Sequence, residues 1–272
     1  MSADRLGIAA SSTALASIGL TAVLAPFLSR YTPWTLDWEH LAISPSLISG
    51  HWFGTDRLGR DLFVRTMLGV RLSLVIGIVS GILSLAIGIA WGTIAGLAGA
   101  RTDSLMMRFV DVLYSLPYLF LVIILTTLIG RGNLAVLLIA IAAVGWLTTA
   151  RIVRGQTMAV RRQEFIEAAA AMGASRRRII WRHVLPNIVR PVLAYGILTV
   201  PQMILFESFL SFLGLGVQEP AASLGSLLSE GAQEMESAPW MLIAPSVFLV
   251  AVLVCLNFIG DAVKLGRNHA RQ

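Results

Sequence analysis

The sequence predicts an all-α polytopic membrane protein with six transmembrane helices. Of its 272 residues, 56% are hydrophobic and only 13% are charged. The mean hydropathy is +0.78. Its uninterrupted apolar runs each approach the ~20 residues that a bilayer-crossing helix needs. A soluble domain spends about a quarter of its residues on Asp, Glu, Lys and Arg, and half that fraction cannot cover a water-soluble body of this length.

The first run, about Leu6 to Leu28, is too long for a typical signal-peptide core and has no clean A-x-A site before Pro26. It is expected to stay as an anchor helix. The second, Leu72 to Ala100, carries no charge, and its glycines fall at 77, 81, 88, 92, 96 and 99. That spacing stacks them along one helix face, where small residues let a neighbouring helix approach; the alternative is that glycine is simply common in membrane helices. The third run (about Val112 to Gly130) and the fourth (Leu134 to Ala150) are separated by Arg131-Gly132-Asn133, a predicted tight turn. The fifth extends from near Pro191 to about Leu213, with a kink expected at Pro201. The sixth spans roughly Trp240 to Gly260.

Six spans put both termini on one side, with residues 101–111 and 151–190. That side collects fifteen of the 21 basic residues; the other has six, and its loop of about 214–239 holds Glu219, Glu230, Glu234 and Glu236 and no base. The positive-inside rule makes the basic side, and both termini, cytoplasmic. The net charge of +6 is therefore spread between apolar runs, not gathered on a nucleic-acid-binding face.

Several chemistries are excluded. The only lysine, Lys264, lies in "DAVKLGR", so no phosphate-cradling Gly-rich loop ends in Lys-Ser/Thr. There is no H-E-x-x-H and no G-x-S-x-G. The one cysteine, Cys255, and four scattered histidines (His40, His51, His183, His269) give no expectation of a metal site. Glu207, in "ILFESFLSF", is the one ionisable residue inside a span. It has two readings: a pathway-lining group, together with Met203 nearby, or a solvated carboxylate at headgroup depth.

The cytoplasmic stretch "EFIEAAAAMGASRRRIIWRHVLPN", Glu164 to Asn187, is the chemical outlier. Helix formers fill Gln163 to Met172, and Gly173 stands where a helix needs a left-handed residue. Ser175 is placed to cap a second helix, Arg176 to Val184, expected to stop before Pro186. Two short helices meeting at a glycine bend would present a small alanine patch flanked by charge. Such a surface suits a protein partner or an amphipathic helix lying on anionic headgroups.

At this point the residues resemble a known family. Glu167-Ala168-Ala169, then Gly173, then Leu185-Pro186 are similar to the EAA signature of the membrane subunits of bacterial ABC importers, with His183 where isoleucine is usual. "HWFGTDRLGRDLFVRTMLGVRLSL" (His51 to Leu74), "ARIVRGQ" (Ala150 to Gln156), "FLSFLGLGVQEP" (Phe209 to Pro220), "LLSEGAQEMESAPW" (Leu227 to Trp240) and "NFIGD" (Asn257 to Asp261) resemble the C-type subunit of the oligopeptide/dipeptide/nickel permease branch. The chain departs from that pattern in its tail, "AVKLGRNHARQ", and at Leu224, where tryptophan is common.

The resemblance implies a type I ABC importer permease fold in a bacterial inner membrane. It implies an anchor helix and outer loop over 1–70, a core permease domain over 71–262 with the EAA loop at 151–190, and a short basic tail over 263–272. It implies no catalysis and no cofactor in this chain, with ATP and magnesium held by two cytoplasmic ATPase subunits. The other partners implied are a homologous B-type permease subunit and an extracytoplasmic solute-binding protein. Glu164, Glu167, Ala168, Ala169, Gly173, Arg176, Leu185 and Pro186 become the ATPase-coupling residues. The segment Gly54 to Asp61 is expected as an outer-side amphipathic helix, with Asp56, Arg60 and Asp61 touching a partner. Oligopeptides are the expected solute, with dipeptides or a nickel chelate as alternatives. A stand-alone carrier or channel is the rival from another class.

Overall fold

The computed structural model describes residues 2–129 and 133–269, and among them no strand forms beyond one isolated bridge, Thr55 to Asp61. Ten helical segments follow in order: α1 (Ser2–Leu28), α2 (Leu62–Leu97), α3 (Ala100–Ser115), α4 (Tyr118–Ile129), α5 (Leu134–Arg161), α6 (Glu164–Ala171), α7 (Arg176–Arg178), α8 (Leu185–Phe212), α9 (Leu224–Gln233) and α10 (Trp240–His269); a π-helical turn, Ile179–Val184, joins α7 to α8. Five helices are long and apolar enough to cross a membrane, and α3 with α4 makes a sixth if that bent pair is one span.

α2 is the axis of the bundle. Ser80 and Ser84 approach the carbonyls of Leu138 and Ala142, and an added Cβ at Gly88, Gly92 or Gly96 would meet Thr149, Ala150 or Thr157. The pairing residues rise together, so α2 and α5 run parallel. On α8 the order reverses: Gly77 meets Ile204, Gly81 meets Val200, and Leu85 fills the space beside Gly196. The glycine row is thus shared between two neighbours, while Gly99 has nothing within 4 Å. Backbones come this close because no side chain intervenes. α5 is the most enclosed span, with 61% of its most apolar window buried, against 11% for α1 and 17% for α10. Those two pack on each other and on the start of α2, through Ala22, Ala25, Val64, Met67, Leu249 and Val252.

Several sequence expectations need correction. The third span is not one helix: α3 and α4 meet at 84°. Leu116 is extended (φ −74°, ψ 136°) because the ring of Pro117 excludes the helical conformation from the residue before it. The second span starts at Leu62, ten residues early, where the Asp61 carboxylate accepts from the Val64 amide at 2.9 Å and caps the helix. The fifth span does fall where expected, at Pro191–Phe212, within an α8 that begins six residues earlier at Leu185. The turn expected at Arg131-Gly132 lies outside the described residues; Asn133 caps α5 through the Ala135 amide.

Nor is Gly54 to Asp61 a helix. Gly54 and Gly59 both take positive φ (79° and 76°), and Asp56 Oδ1 accepts from the amides of Leu58 and Arg60 at 2.8 and 2.9 Å. An aspartate that binds the backbone two residues on competes with a helix and favours a turn.

Candidate functional site

Two ends and one cavity of the bundle hold the residues singled out by the sequence. At the basic end, α6 closes with paired bonds from Gly173 N to Ala170 O and from Ala174 N to Ala169 O, both 3.0 Å. This six-residue closure requires a left-handed residue, and Gly173 supplies it with φ +84°. Ser175 Oγ accepts from the Arg178 amide at 3.3 Å, as expected of a cap.

The second helix does not stop before Pro186. The chain widens into the π turn, with Leu185 N bonded to Ile180 O, and runs straight into α8. In an α-helix the Pro186 ring would clash with the Arg182 carbonyl; the wider turn leaves room for it.

α6 is amphipathic in a useful way. Ile166 and Ala169 face inward, and Ile166 packs with Val153 of α5, Val184, and Ile188 and Val192 of α8. Glu164, Glu167 and Ala168 face solvent, as does Pro186, while Leu185 is half-buried; the Arg176 side chain lies outside the described residues. Ala169 is thus a packing residue, not a contact residue. Beside the exposed glutamates stand three apolar side chains that the sequence argument passed over: Phe165, Met172 (83% exposed) and Trp181 (68% exposed). With Arg177, Arg178 and Arg182, Met172 and Trp181 border two shallow depressions at this end. The signal was present: three large apolar residues in a segment with no membrane to face.

A cavity of about 490 Å³ opens between the α3–α4 break, α5 and α8. Met203 borders it, with Phe206, Tyr118, Thr148, Thr199 and Gln202. Gln202 is exposed, an amide in the apolar run "VPQMILF" that sequence reading missed.

Glu207 is not part of this cavity, nor is it solvated. Its carboxylate is fully buried and accepts from Ser73 Oγ of α2 at 2.8 Å and Ser211 Oγ of α8 at 2.6 Å. Ser73 Oγ in turn accepts from the Leu224 amide at 3.2 Å. Glu207 therefore ties α2 and α8 to the first residue of α9, whose N-terminus Ser223 caps reciprocally with Ser226. α9 sits tightly here because Gly225 lies against the backbone of Ser208.

The third group lies at the acidic-loop end. Asp56, Arg60 and Asp61 are 0%, 7% and 1% exposed, so they are spent inside the chain and not offered to a partner. Asp56 Oδ2 pairs with Arg60 Nε at 2.6 Å and with Arg65 Nη1; Arg65 also grips Glu230 at 2.7 and 3.0 Å, and Arg60 reaches Glu219 at 2.9 Å. Burial disfavours the Arg60 charge, but the bonds to Asp56 and Glu219 outweigh it and raise its pKa. The network joins the 29–61 loop to the start of α2 and to the loop carrying α9. The same loop brings together two histidines that are distant in sequence: His40 and His51, with ring centroids 5.8 Å apart.

Comparison with known proteins agrees with this geometry. Residues 88–265 match the family of binding-protein-dependent transport system inner membrane components. The oligopeptide transport system permease protein OppC of Haemophilus influenzae is 49% identical over 94% of this chain and 82% of its own length. OppC of Escherichia coli K12 is 48% identical over 94% and 84%. A chain of the MetNI methionine ABC transporter, in an inward-facing conformation, superposes with a TM-score of 0.61 at 22% identity, over 74% of this chain and 93% of that one; at that identity the likeness concerns the fold.

Proposed function

The chain belongs to the family of binding-protein-dependent transport system inner membrane components, and from that premise we propose that it is one permease subunit of an ATP-driven oligopeptide importer. Oligopeptides are favoured because the relatives at 48–49% identity are oligopeptide permeases over nearly the whole chain. The subunit pairs with a homologous B-type permease, two ATPase subunits bind at its basic end, and a solute-binding protein delivers peptide at the acidic-loop end. The basic end and both termini are cytoplasmic, as the distribution of arginines favours. The chain itself catalyses nothing; ATP and magnesium belong to the ATPase subunits.

The observation that carries this reading is the anchoring of α6. Its outer face, with Glu164 and Glu167 on the helix and Met172 and Trp181 beyond it, is available to a partner, while Ile166 locks it onto α5 and α8. A push on α6 is then a push on two spans. Those are the spans that border the 490 Å³ cavity, which we assign as this subunit's half of the pathway, with Gln202 and Met203 on its wall. Driving such a change requires contacts that differ between two states, and a cleft that closes on ATP supplies them.

The test is to purify the tagged chain gently from native membranes and identify what accompanies it. A second homologous permease with ATPase subunits is expected. A chain that comes out alone, even after mild crosslinking, and transports on an ion gradient without ATP would replace this reading with a secondary carrier.

A further inference from the structure

We propose that Asp37, His40 and His51 form a divalent transition-metal site, with Zn²⁺ as its ion, in the loop between α1 and α2. One buried nitrogen in this loop, His51 Nε2, has no hydrogen-bond partner. His51 is fully buried, and its Nδ1 lies 2.8 Å from Asp61 Oδ2. Asp61 is committed as an acceptor, because its other oxygen takes the Val64 amide. The proton of the His51–Asp61 contact therefore sits on Nδ1, and in that tautomer Nε2 presents a lone pair.

That lone pair has no hydrogen-bond partner. It faces Asp37 Oδ2 at 3.9 Å, a carboxylate oxygen that also meets His40 Nδ1 at 2.9 Å. Two acceptors opposed at the edge of a buried ring are unfavourable until a cation lies between them. One ligand atom from each of Asp37, His40 and His51 falls within 4.8 Å of the others.

The surroundings suit a metal more than a bare proton. Two imidazoles and a carboxylate are a donor set that zinc takes at about 2.0–2.2 Å, with a fourth position for water. Asp61 on the far nitrogen of His51 is the orienting partner that ligating histidines characteristically have. Tyr31 stacks on the His51 ring at 4.0 Å and shields one side. The other side is open, since the His40 side chain is 41% exposed. Gly59 makes the approach possible: any side chain there would overlap the Asp37 backbone. Bound metal would staple residues 37–40 to His51 and, through Asp61, to the capped start of α2.

The experiment uses the complex that contains the full chain, purified through a histidine-free tag, stripped with a chelator and titrated with zinc sulfate. Wild type is expected to bind one more Zn²⁺ per complex than Asp37→Asn or His40→Ala, with at least about a tenfold weaker affinity at this site in either variant, and zinc is expected to raise the melting temperature of wild type only. Asp37 and His40 are partly exposed, so both variants should fold. Equal zinc content and equal zinc-dependent melting in wild type and variants would overturn the site, leaving His51 Nε2 to a proton shared with Asp37.

Discussion

The Arg65 guanidinium lies between Asp56 and Glu230 and donates to both, with its Nη1 alone reaching Asp56 Oδ2 and Glu230 Oε2. Asp56 is fully buried and Arg65 is 1% exposed, so this pair holds charge away from water. Removing one partner of a buried pair costs up to about 3–5 kcal/mol; without Arg65, Asp56 keeps only Arg60 and Glu230 loses both of its bonds to Arg65. Arg65→Ala should therefore lower the melting temperature of the detergent-solubilised chain severely. Arg57→Ala, an exposed neighbour in the same loop, should leave it almost unchanged. Equal melting of the two variants would mean that the network does not hold the loop to α2.

Glu207 separates a structural role from a transport role. If it serves to receive Ser73 and Ser211, Glu207→Gln keeps a carbonyl acceptor and should preserve most stability and uptake. Glu207→Leu strands two buried hydroxyls, each costing about 1–3 kcal/mol, and loosens α9. Melting curves together with peptide uptake distinguish the cases. A well-folded Glu207→Gln subunit without transport would return Glu207 to the pathway.

The glycines of α2 give an internally controlled comparison. An added Cβ at Gly92 would come 2.5 Å from the Ala150 carbonyl, whereas one at Gly99 meets nothing within 4 Å. Gly92→Leu should destabilise by at least about 1–3 kcal/mol through overpacking and Gly99→Ala should be nearly neutral, as read by protease resistance of the reconstituted chain.

What the sequence made legible was whatever depends on local chemistry. Apolar run length located the spans, and Gly173 announced the α6 closure because few other residues tolerate positive φ. Four features were hidden for physical reasons. The π turn was unreadable because Pro186 signals a helix stop as readily as a widened turn. The fold of Gly54 to Asp61 depends on an aspartate competing with the backbone, which helix periodicity does not register. The burial of Glu207 depends on α9 folding back through Gly225, a contact between distant segments. His40 and His51 meet only because Gly59 admits the Asp37 backbone. Met172 and Trp181, by contrast, could have been found, as large apolar residues in an otherwise charged segment.

Coupling through α6 is tested most directly by ATP-driven uptake of a labelled oligopeptide into proteoliposomes containing the assembled complex with Glu167→Lys. Glu167 is exposed at the face proposed for the ATPase, so charge reversal there leaves the packing of Ile166 and Ala169 intact. The expected result is uptake reduced at least about tenfold, equivalent to 1.4 kcal/mol of coupling, while the complex stays inserted and still hydrolyses ATP. Uptake at the wild-type rate would contradict the assignment of α6 as the segment through which the ATPase drives the bundle.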